Sequence, residues 1–485
     1  PADGSITDVE RAVPLSWSPG DFASQHDVYF GTDDFAVADA DISDTSGIYR
    51  GRQNLGNETY IPAEAFEYDR TYYWRIDQYN TDATLSRGKV WSFAVGDFLI
   101  VEDFEAFNAG DNQIWYAWKD GLGYGKPDAP PYYAGNRTGA MVGDEDTDSY
   151  AEENIIHGGD QSIPYFYDNN KPGYLNYSEA VFTLSPPRDW TRKGVKALSL
   201  WFRGYLESAS SFTEEPPGTF TVTARSGNVW GQSDQFNYVF KQLSGSGSII
   251  AKVVSATNTD PGAKIGVMIR ETLDTDSKHA FAFMRADGGV RLNRRKETGD
   301  ITMNSIENDL AFPHWVKLQR DISGLFTVSH SADGATWVPI NDSGMGSSDT
   351  IQMSAVVYIG LAVASNNTSA ICEAVFSNIS TEGSVMGQWQ TQDIGILSND
   401  PEPLYVAMAN NTGAPAVVYH DDPNAARLDT WTQWNIDMKE FADQGVNLSD
   451  VNSMARVTGS QEHPQPGGSG KMYFDDIRLY PPRCV

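Results

Sequence analysis

A β-strand needs a partner, and the run 471-KMYFDDIRLY-480 finds its best match in composition very far back in the chain. It alternates apolar Met472, Phe474, Ile477 and Leu479 with polar residues and breaks step at the Asp475-Asp476 pair. The same apolar, acidic and aromatic mixture stands at 98-FLIVEDFEAF-107. If the two runs pair, one β-sandwich opens near residue 98 and closes near 480. Everything between them then either belongs to that sandwich or is inserted into it.

A chain of 485 residues exceeds what one hydrophobic core supports and implies about three domains of roughly 150 residues each. Its 44 Gly, 24 Pro and 12% aromatic residues, with no long stretch of helical period, point to many short strands and turns. The fold class expected is therefore all-β. A formal charge of −30, from 65 acidic against 35 basic residues, repels polyphosphate and anionic lipid, so nucleic acid and membrane surfaces are excluded as partners. Cations and neutral glycans fit better. The longest apolar run, 354-SAVVYIGLAVAS-365, is far short of the roughly 20 residues a membrane-spanning helix needs, so no membrane insertion is expected. The opening PADGSITDVE has neither a start Met nor a basic, apolar leader, and is read as the start of a mature or excised portion of a longer protein. With only Cys372 and Cys484, no disulfide framework holds the domains. Cys372 alternates with apolar neighbours and is expected to be a small buried hydrophobe; the pairing of Cys484 is left open.

Residues 1–97 contain short alternating runs at 14-PLSWS-18, 27-DVYFG-31, 71-TYYWRIDQYN-80 and 89-KVWSFAV-95. Trp17 early, a Tyr-Tyr-Trp strand late and Trp91 on the last strand resemble a fibronectin type III or related immunoglobulin-like domain. That resemblance makes Tyr72 or Tyr73 the candidate corner tyrosine and the Trp and Tyr residues core. From 98 the chain is unusually aromatic (115-WYAW-118, 131-PYYAG-135, 165-YFY-167). In 197-ALSLWFRGY-205 a period of two places Leu198, Leu200 and Phe202 on one face and Ser199, Trp201, Arg203 and Tyr205 on the other. Either sugar rings stack on the second face or a loop or neighbouring domain covers it.

After 213-TEEPPGTF-220 a new set of strands runs to 376-FSNIS-380. The runs GVMIRE, HWVKLQR and FSNIS within it resemble a concanavalin A-like jelly roll of bacterial extracellular proteins, inserted over 217–383. The outer domain resumes with 402-EPLYVAMAN-410, 415-PAVVYHD-421 and 430-TWTQWNIDM-438. Its closing GSGKMYFDDIRL, with VEDFE at its opening, resembles a galactose-binding-like jelly roll, the fold of many carbohydrate-binding modules. The expected organisation is three β-sandwich domains, one discontinuous: 1–97, 98–216 with 384–485, and the insert 217–383. The whole resembles multidomain secreted proteins of environmental bacteria.

That second resemblance implies a structural Ca2+ pinning first and last strands, with Glu102 or Glu105 and Asp475 at the acidic positions; the same acids could equally decorate a sheet edge. The run 144-DEDTD-148 starts like a calcium loop but lacks the central Gly and has Ile155 at the twelfth position. The scattered His residues form no zinc motif, and no G-x-S-x-G or phosphate-cradling loop occurs. The function expected is a non-catalytic extracellular glycan-binding or adhesive array. It would recognise a polysaccharide, acidic if Arg203 reads it, through Trp201, Arg203 and Tyr205, with Tyr405, Trp115 and Trp118 at the rim. A self-associating subunit of a matrix, surface layer or filament is the alternative. A polysaccharide lyase or hydrolase ranks third, since it needs a cleft with perturbed groups.

Overall fold

The computed structural model describes residues 1–144, 147–307, 310–342 and 346–482. Cys484 and part of the 144–148 run lie outside the described residues. Strands dominate the structure, joined by turns and a few short helices. The chain divides into two compact units, one formed by 1–206 with 399–485 and the other by 207–398.

In the first unit, residues 5–95 form their own sandwich. One sheet runs in the order Ser5–Thr7, Trp91–Val95, Arg70–Asn80, Ala23–Gly31, Tyr49–Asn54, and a two-stranded sheet pairs Leu15–Ser16 with Thr59–Tyr60. Leu15, Phe30, Tyr72, Trp74, Phe93 and Val95 fill the core between them. Of the two candidate corner tyrosines it is Tyr72 that reaches back, its hydroxyl accepting the Glu67 N–H at 2.9 Å.

The rest of that unit is a second sandwich. One sheet runs Met141–Val142, Ile163–Asp168, Ser469–Tyr480, Ala197–Arg203, Thr432–Asp437, and Leu99–Glu102 also pairs with the closing strand Ser469–Tyr480. The partners read from the sequence therefore do meet, with Ile477 opposite Glu102 and Arg478 opposite Ile100. The facing sheet runs Trp118–Lys119, Tyr177–Arg188, Val451–Gly459, Leu404–Ala409, Ala416–Tyr419. The break in alternation at Asp475-Asp476 is a bulge: Asp476 takes a left-handed φ of 47°, which Asp tolerates better than most residues. One extra residue lets Met472 and Phe474 before it, and Ile477 and Leu479 after it, all enter one core.

In the second unit two long strands, Phe236–Ala256 and Cys372–Ile394, pair along most of their length. The first half of Phe236–Ala256 also pairs with Val356–Ala364 and its second half with His314–Arg320. The Cys372–Ile394 strand continues well past residue 383, which is why this compact unit is broader than the 217–383 segment read from the sequence. The 333-DG-334 turn follows Leu325–Ser331, whose Ser329 pairs with Pro339. Cys372 is buried in the core as a free thiol, and burial pushes its pKa up to about 11.

The chain leaves the first unit at Leu206 and re-enters at Asn399, and the Asn399 N–H donates to the Leu206 carbonyl. A few Gly and Ser residues can therefore replace 207–398. The shortened chain is expected to unfold cooperatively with native near-UV circular dichroism; a molten product lacking that signal would show that the outer sandwich depends on the insert.

Candidate functional site

On the strand Ala197–Arg203 the alternation holds: Leu198, Leu200 and Phe202 are buried in the core, whereas Trp201, Arg203 and the following Tyr205 are half-exposed on the outer face. Register places Trp201 opposite Gln433 on one side and Asp475 on the other. The His157 ring lies on Trp201 with centroids 3.8 Å apart and planes 18° apart, and Trp431 meets His157 edge-on at 5.8 Å. Two tryptophans and a histidine thus form one aromatic cluster on the outside of the sheet.

The bulge positions the histidine. Asp475 Oδ2 accepts the backbone N–H groups of His157 (2.9 Å) and Gly158 (3.1 Å), and its Oδ1 accepts that of Asp476 (2.8 Å). Asp476 Oδ2 lies 2.8 Å from His157 Nδ1. One residue group further along, Glu105 accepts the N–H groups of Asp160 and Gln161. Three carboxylates therefore clasp the 157–161 turn. Gly159 has a φ of 67°, and a Cβ there would sit 2.1 Å from Glu105 Oε1, so the clasp requires glycine.

Below Trp201 along the same face, Arg203 is paired in register with Tyr473, and its Nε is buried without a partner. The hydroxyls of Tyr205 and Tyr473 are 2.9 Å apart. Burial pushes Tyr473 up to about 12 and raises Tyr205 further, so both phenols are neutral hydrogen-bonding groups. Lys471 lies over the rings of Phe166 and Tyr473 and pairs with Asp144 at 2.6 Å.

The expected rim is not there. Trp118 has no exposed surface: it stacks on Phe182 in the core, with the Arg456 guanidinium 3.7 Å from its ring. Tyr405 is also fully buried, in a satellite cluster with Ala407, Ala455 and Val457 on the outer side of the opposite sheet. Trp115 is half-buried against Tyr150 at 3.9 Å. Trp118 and Tyr405 cannot be reached from the Trp201 face, because one fills the core and the other is covered on the outer side of the opposite sheet. Sequence reasoning missed His157, Trp431 and Tyr473. The Trp431 signal was present in 430-TWTQW-434, but a histidine in a turn carries no period.

The acids expected at a calcium site each accept backbone N–H groups. Glu102 is buried and accepts the Phe104 N–H, Glu105 holds the 157–161 turn, and Asp475 holds His157 and Gly158. Among the described residues no group of three or more His, Cys, Asp or Glu side chains is arranged to hold a metal ion.

No family model and no curated protein matches the chain. Among solved structures, a functionally unknown protein from Saccharomyces cerevisiae is similar at 14% identity and a TM-score of 0.29, covering 37% of this chain and 97% of that one. A family 7 alginate lyase is similar at 11% identity and 0.23, covering 40% and 95%. A GH43 protein from Bacillus licheniformis is similar at 10% identity and 0.23, covering 69% and 68%. At these scores the likenesses assign no activity to the chain.

Burial raises the Asp475 carboxyl from its ordinary 3.8 to about 7, against the pull of its N–H donors. A folded pKa above the unfolded one means that the folded state keeps a proton the unfolded state releases between those values, so stability falls as pH rises through that window. Buried Glu102 is shifted upward too. The melting temperature should therefore decline from pH 5 to pH 8, and less steeply in Asp475→Asn. A rise over that range with no effect of the substitution would mean that Asp475 is ionised throughout.

Proposed function

We propose that the chain is a non-catalytic glycan-binding part of a larger extracellular protein, and that the face around Trp201 is its sugar platform. The observation that carries this is the cluster of Trp201, His157 and Trp431 on the outside of a sheet, continued by Arg203 and the Tyr205–Tyr473 pair. An aromatic ring stacks on the apolar face of a pyranose, and a flanking guanidinium bonds its hydroxyls or a carboxylate or sulfate. Arg203, half-exposed beside the ring cluster, supports a preference for acidic glycans despite the overall negative charge. A buried ionic cluster in the second unit supports a non-catalytic reading. There Asp234 is held by Arg295 at 2.8 Å, with Arg270 and His279 beside it, and all four are fully buried beyond the reach of a polymer substrate.

On a glycan array, Trp201→Ala should weaken binding about tenfold or more while leaving the melting temperature nearly unchanged. Trp118→Ala should instead cost about 3–5 kcal/mol of stability, as large core deletions do. Binding that survives Trp201→Ala, or particles that grow with concentration and bury this face, would favour an assembly subunit instead. We propose further that the three acids clasp the 157–161 turn without an ion. Chelator should then leave the melting temperature where it is, since a cation bound only to the folded state would raise it by mass action; a fall on chelation would place calcium there.

A further inference from the structure

We infer that the N-terminal sandwich carries a second site, a pocket for one neutral pyranose, at the end of its larger sheet. This extends the glycan-binding reading to a separate place and does not use the Trp201 face. The inner face of that sheet is set by alternation: His26, Val28 and Phe30 on one strand, Tyr72, Trp74, Ile76 and Gln78 on the next, Trp91 and Phe93 on the third. Register aligns Trp74 with Trp91 and His26 with Gln78. The facing sheet has only two strands of two residues each, so it covers the Phe30, Tyr72 and Phe93 end and stops.

Beyond it the chain leaves a cavity of about 370 Å³ lined by Trp17, His26, Trp74, Gln78, Lys89 and Trp91. That is within the range of small-molecule sites, roughly 300–1,000 Å³. The Trp17 and His26 rings meet edge-on at 5.6 Å, and the Trp74 and Trp91 rings lie 5.6 Å apart. Buried polar groups are almost always hydrogen-bonded, yet the indole N–H groups of Trp17 and Trp74 and both nitrogens of His26 are shielded from solvent without a partner. His26 is 1% and Trp74 3% exposed. The rings of Trp17, Trp74 and Trp91 give the cavity flat apolar walls, and Gln78 and Lys89 add polar groups to its lining, so it suits a ligand that presents both apolar C–H faces and hydroxyls.

Charge selects among such ligands. Burial lowers the His26 pKa, so the imidazole is neutral and offers one donor and one acceptor. The only charged lining residue, Lys89, is already paired with Asp3 at 2.5 Å, which leaves no free cation for an anion. An aromatic cage also suits a quaternary ammonium ligand, which is therefore the comparison in the test. A neutral sugar, free or at a chain end, matches the ring walls and the polar lining together.

The test uses the full chain carrying Trp201→Ala, so that any signal comes from this pocket. Glucose, galactose, mannose, xylose and N-acetylglucosamine are titrated by calorimetry and tryptophan fluorescence, with tetramethylammonium as a comparison. At least one sugar should bind saturably. Adding Trp91→Ala should weaken that binding at least tenfold with the melting temperature unchanged, because Trp91 is 40% exposed. Trp91→Phe, which keeps a ring if the alanine variant loses stability, should give an intermediate loss. The inference is overturned if no sugar binds, if binding survives both changes, or if tetramethylammonium binds and the sugars do not.

Discussion

Hydrogen bonds from the strand Ser469–Tyr480 to Ile163–Asp168, Ala197–Arg203 and Leu99–Glu102 hold the outer sandwich together. Its sheet is incomplete until the end of the chain returns to its beginning, with Ile477 seated against Glu102. Closing so long a loop is costly mainly at the start, because each doubling of loop length adds only about 0.6 kcal/mol. A folded insert lowers even that cost. The 207–398 unit is inserted between Leu206 and Asn399, which a backbone hydrogen bond joins, so the first unit loses no span to it.

The same strand shapes the proposed sugar face. A regular strand would send residues 475–479 to the wrong sides, and the left-handed Asp476 corrects the phase while aiming two carboxyl groups at one turn. Burying Asp475 is unfavourable, and three backbone N–H groups offset that cost by hydrogen bonding. What the arrangement produces is a fixed histidine ring on Trp201. Behind it, Arg456 lies fully buried against Trp118, Phe474 and Phe104, its nitrogens without a hydrogen-bond partner, and the Glu102 and Asp475 carboxyls favour its charge from a distance. Burial lowers its pKa to about 9.

Much of this was legible in the sequence wherever period and pairing decide the outcome. The 98–107 and 471–480 runs, the two faces of 197–205 and the burial of Cys372 all follow from alternation, which records which side of a sheet a residue takes. Alternation does not record what lies over that side. Trp118 and Tyr405 therefore read as surface aromatics, although one fills the core and the other a covered satellite cluster. Acidity was equally ambiguous: Glu105 and Asp475 carry the composition of a cation site, but their partners are N–H groups of a turn some distance away in sequence. The aromatic residues of 1–97 read as core, and most are. Trp74 and Trp91 border a cavity only because the facing sheet is two residues long, a fact of tertiary structure that no local pattern encodes.

Hydrogen–deuterium exchange of the full chain, free and saturated with the glycan that binds it on an array, tests most directly whether the clasped turn and the Trp201 strand form one recognition surface. The account predicts slowed exchange at 155–161, 199–205 and 431–435 together, with little change in the sheet containing Leu404–Ala409. Protection confined to 207–398, or to that opposite sheet, would contradict it.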